Sequence, residues 1–468
     1  MKEKILSYFV ILVIILSITL SIYNIMYFKY LKSILYATVT VLLIVLSIYF
    51  SIKLKFIQFN FKKILTSLLK KTTGNISILE SLSLNLGAKI GVGSLSGIAL
   101  SILIGGSGSI FWMWIITLIT GIISYIEGYL GIKYQCKNNK NELIGGPSFY
   151  LSNVTKYRIL PIIYSIILII AYIFGFITIQ SNTIVNSISY ISSINKYLIL
   201  IILVIITSLI IFKGLKKIAV FSAKIVPIMA ILYILIGLYV IITNYKLIPI
   251  IISDIIANAL NIKSIISSFI PMVIIGIERG IFATEIGLGT SAITSSMTND
   301  TKENQGYVQL FSIYFTSFVI CTITVFIILT SKIDTSNYIN INGIEYVIDS
   351  LIYHLGNYGV IVFVIITILF SFSTIIGGYT FGELALDFII KNINNKIIVI
   401  FKIITILLVF IGGIINPNIL WNTIDVLVVL LMLINLYGIY LNRNNIKFIS
   451  FLGLLRPLRN LNQILRAS

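Results

Sequence analysis

The chain has 468 residues, 58% of them hydrophobic and only 10% charged, with a formal net charge of +19. So little charge cannot cover a soluble surface, and the solvent of this chain is mostly lipid. The basic excess would suit a nucleic-acid partner, but Lys and Arg sit in short segments between apolar runs, which argues against that reading and fits the bias of cytoplasmic loops.

Roughly 20 apolar residues span a bilayer as a helix. The first such run, Ile5–Tyr27, follows Met1-Lys2-Glu3-Lys4 and carries no charge. It is long for a signal-peptide core and no small-x-small site ends it, so it reads as a retained signal anchor. Ser33–Ile52 is the second run. Further runs centre on 82–104, 109–132, 159–180, 198–212, 223–243, 267–290, 307–330, 358–380, 397–415 and 419–441. That makes about twelve spans, too long and unbroken for the strands of a membrane barrel. With the N-terminus inside, most Lys and Arg fall in inward-facing loops. This predicts a multi-pass protein of a bacterial inner (plasma) membrane with both termini cytoplasmic.

Two spans differ from the others. The 82–104 span contains Gly87, Gly91, Gly93 and Gly97, and the 267–290 span contains Gly276, Gly280, Gly287 and Gly289. Glycine costs a helix interior about 1 kcal/mol relative to alanine. Such clusters predict local unwinding, which at membrane depth requires a cavity or a protein neighbour. Close helix packing through small residues is the alternative. Each glycine-rich span opens a set of five, and five is odd, so the two sets run in opposite directions. This is the pattern of an inverted repeat with a binding site at the midplane. The expected division is 1–81 as two N-terminal helices and a basic loop, 82–243 and 244–441 as the two five-helix repeats, and 442–468 as a basic cytoplasmic tail.

Charges inside spans are expensive and usually functional. Lys89 lies in the first glycine-rich span, and Glu278, Arg279 and Glu285 lie in the second. These four form the expected coupling group. Glu127, Glu383 and Lys402 stand near span ends, where they are expected to reach the interface. Asp425 is left open. Cys136 and Cys321 are too differently placed for a disulfide, and His354 is expected in a solvent-facing loop. No histidine cluster, nucleophile–base arrangement or phosphate loop points to an enzyme, and no cofactor is expected.

An interrupted helix offers bare N–H groups at one half-helix start and bare C=O groups at the other half's end. The first attracts a carboxylate and the second a cation. A zwitterionic amino acid with a hard cation such as sodium fits that pair. Hydroxyls at Ser373 and Thr374 would complete the cation's oxygen ligands, although each could instead bond back to its own helix.

The motifs carry a resemblance. Gly91-Val92-Gly93-Ser94-Leu95-Ser96-Gly97-Ile98-Ala99 resembles the G-T-G-N-I-A-G-V-A segment of the sodium:alanine symporter family. Phe111-Trp112-Met113-Trp114 is identical to that family's F-W-M-W. Gly145-Gly146-Pro147 and Gln180-Ser181-Asn182 resemble two further motifs. Arg279-Gly280-Ile281-Phe282-Ala283-Thr284-Glu285-Ile286-Gly287 is similar to R-G-x-F-S-N-E-A-G, and Phe372-Ser373-Thr374-Ile375-Ile376-Gly377 to F-S-T-I-x-G. Order and spacing agree from about residue 47 to residue 441.

The resemblance implies an all-α leucine-transporter-type 5+5 inverted repeat with two extra N-terminal helices. It also implies sodium-coupled symport of a small neutral amino acid such as alanine or glycine by alternating access. Gly87, Ile90, Ser373 and Thr374 would hold sodium. Gly91, Val92, Gly93, Ser94, Gln180, Asn182, Phe282, Thr284, Gly377 and Gly378 would face the substrate. The family's Asn is Ser94 here, and Gly378 replaces a Trp, which should enlarge the pocket. Lys89 stands where a small neutral residue is usual. Its ammonium could replace one cation and make the carrier sodium-independent or proton-coupled, or it could simply pair with Glu278 or Glu285. A transport-dead sensor on the same scaffold is the competing class.

Overall fold

The computed structural model describes residues 28–446, apart from 71, 73–75, 139–140, 157, 261–265, 334–342 and 391–393. The expected signal anchor at 5–27 and most of the basic tail lie outside the described residues. In lipid each backbone polar group must bond within its own segment, and this chain meets that demand with helices. They are α1 Phe28–Lys53, α2 Phe61–Ser67, α3 Ile78–Lys89, α4 Ile98–Gly105, α5 Gly108–Lys133, α6 Pro147–Val154, α7 Ile159–Ile169, α8 Ile177–Ile191, α9 Lys196–Ile211 and α10 Leu215–Thr243. There follow α11 Ile248–Leu260, α12 Ile266–Thr284, α13 Thr290–Ser296, α14 Lys302–Tyr314, α15 Thr322–Thr330, α16 Ile344–Leu355, α17 Asn357–Ile389, α18 Asn395–Gly412 and α19 Pro417–Leu441. A two-residue ladder, Cys136–Lys137 on Leu143–Ile144, closes the loop after α5.

Among the described residues, eight helices are long and apolar enough to cross a bilayer, or up to nine if the bent pair α3 and α4 is one broken span. The chain is a polytopic membrane protein. The expected spans at 33–52, 109–132, 223–243 and 419–441 each coincide with one helix. The expected 159–180 and 307–330 spans are longer and contain wide π turns, at Ile170–Phe176 and Phe315–Cys321. The expected 198–212 span is α9, only 16 residues long. At 1.5 Å per residue α9 falls short of a hydrocarbon core of about 30 Å. The amphipathic α16 and the short α11 fall in stretches the sequence reading took as loops.

Two helices are interrupted. α3 begins at a capping box, in which Ser77 and Glu80 satisfy each other's backbone N–H groups,. It ends at Lys89, and Ile90 leaves the helical region with ψ 79°. A π turn, Gly93–Gly97, then leads into α4, whose axis lies 53° from that of α3. α12 ends at Thr284, and Glu285, Gly287 and Gly289 all take positive φ before α13 starts. The second interruption is therefore confined to 285–289, narrower than the glycine cluster that announced it. Gly276 and Gly280 remain inside α12. A Cβ on Gly276 would stand 2.2 Å from the Ser109 carbonyl oxygen, so that glycine lets α12 lie against α5. Packing, not unwinding, explains this half of the cluster.

Candidate functional site

The first break determines which backbone groups are bare. Gly91 N–H bonds to the Lys89 carbonyl at 3.0 Å rather than to Gly87, four residues back. The Gly87 carbonyl is thereby released, and it accepts from Ser373 Oγ and Thr374 Oγ1, each at 3.0 Å. Both hydroxyls also share the Phe370 carbonyl of their own helix, at 2.8 and 3.1 Å. Beside them the Val92 N–H donates to Gln180 Oε1 at 3.1 Å. A Cβ on Gly91 would stand 2.4 Å from Thr374 Oγ1 and 2.9 Å from Gln180 Nε2. The backbone at Gly91 thus lies in contact with both side chains, and Gly87, Gly91, Val92, Gln180, Ser373 and Thr374 form one centre. All six are buried. Ile90 is buried at the break itself.

The second interrupted helix meets the first through Phe282. Its ring lies on the Gly93 backbone, where a Cβ would come within 2.9 Å. Phe282 also stacks on Phe176 at 5.3 Å between centroids and tilts against Trp421 at 5.1 Å. A narrow cleft opens beyond this aromatic layer, lined by Ser96, Asn182, Asn186 and Trp421 among others. A second narrow cleft is lined by Pro147, Tyr164, Ile293 and Phe388 among others. Tyr164 and Asn182 belong to one continuous span, Ile159–Ile191, so the two clefts lie at different levels along it.

The remaining expected site residues make contacts of their own. Asn182 is two residues past Gln180 and faces away from Gly91. Its amide caps α18 by donating to Gly412 and Ile415 carbonyls at 3.0 and 2.7 Å. Thr284 bonds back to the Gly280 carbonyl at 2.7 Å. Ser94 is fully buried, and its carbonyl accepts from Thr324 Oγ1 at 2.8 Å. Gly377 packs on Ala88, and the space before Gly378 is filled by Tyr172 and Ile177 side chains at 3.4 Å.

The expected coupling group divides in two. Arg279 faces Asp425 at 3.8 Å and lies 5.6 Å from the centre of the Trp421 ring. Glu278 belongs to the same neighbourhood. Lys89 lies apart, 3% exposed, and its ammonium donates to Ser291 Oγ and Ser312 Oγ at 3.1 Å each. The carboxylates that act on it from farther off are Glu285 and Glu127.

Glu127 is a correction to the sequence reading, which placed it near the interface. It is fully buried. Its Oε1 accepts from the Gly289 N–H at 3.0 Å and from Asn435 Nδ2 at 2.7 Å, so it fastens the second break. Glu383 is buried too, and Lys402 lies over the Phe212 ring at 5.3 Å. His354 is in the last turn of α16 rather than in a loop, its Nε2 3.0 Å from the Ile327 carbonyl oxygen. Cys136 and Cys321 are free thiols, the first exposed and the second buried. Sequence reasoning also passed over Ser291, Ser312, Asn435 and Trp421. Only Trp421 carried any signal, as a lone aromatic beside the Asp425 left open.

Comparison with known proteins accords with these motifs. The chain is 33% identical to the amino-acid carrier protein AlsT of Bacillus subtilis over 335 residues, 70% of either chain. It is 31% identical to the probable sodium/glutamine symporter GlnT of the same organism, again over 70% of each chain. Over 54% of its length, and 57% of the relative's, it is 30% identical to the sodium/alanine symporter AgcS of Methanococcus maripaludis. The family model described as sodium:alanine symporter family matches residues 21–449. With that match across nearly its whole length, the chain belongs to the sodium:alanine symporter family.

Proposed function

We propose that this protein is a secondary active transporter that carries a small neutral amino acid, such as alanine or glycine, inward with sodium by alternating access. One observation carries the reading. The carbonyl freed at Gly87 meets the hydroxyls of Ser373 and Thr374, while one turn on the break turns the Val92 N–H toward Gln180. Hard oxygens suit sodium, and bare N–H groups suit a carboxylate. Gly91, Val92, Gly93, Ser94, Gln180, Phe282, Thr284 and Gly377 surround the substrate in this reading, with Asn182 and Gly378 behind them. Ile90 adds a carbonyl to the sodium ligands. The aromatic layer of Phe282, Phe176 and Trp421 separates the substrate from the cleft at Asn182. The architecture is a 5+5 inverted repeat, 82–243 against 244–441, after two N-terminal helices, with about twelve spans and cytoplasmic termini.

Proteoliposomes test it. Purified protein should accumulate labelled alanine or glycine under an inward sodium gradient, and glutamine belongs in the panel because one relative carries it in its name. The S373A/T374A double variant should lower sodium-driven uptake by about tenfold or more, as expected when oxygen ligands of a hard cation are removed. Ligand binding without flux would mean a sensor, and uptake driven by a proton gradient alone would overturn the sodium assignment.

A further inference from the structure

The Lys89 ammonium is the feature that the symport reading leaves unused. It lies between the two helix breaks, held by Ser291 of α13 and Ser312 of α14. Ser291 Oγ is 2.8 Å from Ser124 Oγ of α5, and Ser312 Oγ accepts from Asn85 Nδ2 at 3.1 Å. Glu285 is bonded through Oε2 to the Thr290 hydroxyl at 3.0 Å, with the Tyr172 hydroxyl as a further neighbour. Glu127 is bonded through Oε1 to the Gly289 N–H and the Asn435 amide, with the Ser291 hydroxyl as a further neighbour. These two carboxylates are 1% and 0% exposed. Buried carboxylates require a nearby cation or strong donors. Two serine hydroxyls at the ammonium, with two buried carboxylates acting on it from beyond contact distance, are oxygen surroundings that a monovalent metal cation would also accept.

We propose that Lys89 is a tethered cation filling an oxygen-lined site bounded by Glu127, Glu285, Ser291 and Ser312. The protein in this account binds one sodium ion, at Gly87, Ser373 and Thr374, and no second. A neutral residue of similar length at 89 opens the second site to sodium. The inference rests on the symport reading for its first ion only.

The test compares the wild type, K89R and K89M in sodium chloride and in choline chloride. Specific binding of sodium raises the apparent melting temperature in proportion to occupied sites. K89M should gain several degrees more from sodium than the wild type, and the extra gain should vanish in K89M/E285Q. K89R should match the wild type. In uptake, the Hill coefficient for sodium should rise from about one to about two in K89M. An equal sodium shift in K89M and wild type overturns the proposal. Should K89M be unstable in both salts, K89M/E285Q decides: recovered stability supports the counter-charge, and continued loss overturns it. Wild-type uptake that ignores sodium would defeat the transport reading, while the melting comparison would still judge this one.

Discussion

Gly91 touches Thr374 and Gln180 where any side chain would begin. A Cβ on Gly97, six residues on, would meet nothing within 4 Å. G91A should therefore lose most sodium-driven uptake, at an overpacking cost of about 1–3 kcal/mol. G97A should stay near wild type, and uptake normalised to the amount of folded protein separates the two. Equal losses would mean that both glycines serve only helix flexibility. Gly91 stood out as part of a glycine cluster, whereas Ser373 and Thr374 were a weak signal by themselves and, with Gln180, were singled out through the family resemblance. The sequence hid Glu127, whose partners are the Gly289 backbone and Asn435, more than a hundred positions away in the chain. Burial of a charge is decided by neighbours, and one span read alone does not contain them. The same limit split Arg279 from Glu285: six positions apart in sequence, they serve different clusters.

At the level of elements, long apolar helices were legible, since length and composition alone define them. The exact place of the second break was not, for it depends on which glycines turn left-handed and which pack against α5. Short helices such as α16 were missed because a window of about 20 residues dilutes a 12-residue segment,. α16 docks on the end of α15 through His354, whose Nε2 lies 3.0 Å from both the Thr330 hydroxyl and the Ile327 carbonyl oxygen. Partial burial holds the imidazole below its ordinary range, opposed in part by the bond to Ile327. A lowered histidine means that the unfolded state binds more protons as pH falls. The contribution to stability is present above the ordinary histidine range and is lost on acidification. Melting temperature should thus decline from about pH 7 to about pH 5 more steeply in the wild type than in H354Q. Parallel curves would dismiss His354 as a stabiliser of α16.

For the whole molecule, the Lys and Arg of the loops propose a side for every turn. That assignment puts the loop bearing Cys136 in the cytoplasm, and Cys136 is exposed while Cys321 is buried. A membrane-impermeant maleimide should label Cys136 in inside-out vesicles and not in intact cells, with the C136S variant as the blank. Labelling from the cell exterior would reverse the orientation. The pairing of two interrupted helices across the bundle was also anticipated, through glycine content. Their meeting through Phe282 and Gly93 was not, since it is set by packing in three dimensions.

The wide turns at Gly93–Gly97, Ile170–Phe176 and Phe315–Cys321 all border the place where the interrupted helices meet. Each holds a residue more than an ordinary turn accommodates. Such surplus can pass along a helix by exchanging one hydrogen bond at a time, so a rod can slip its register against a neighbour without melting. In the proposed carrier, three such slack points beside the proposed site would lower the cost of swapping which end is sealed.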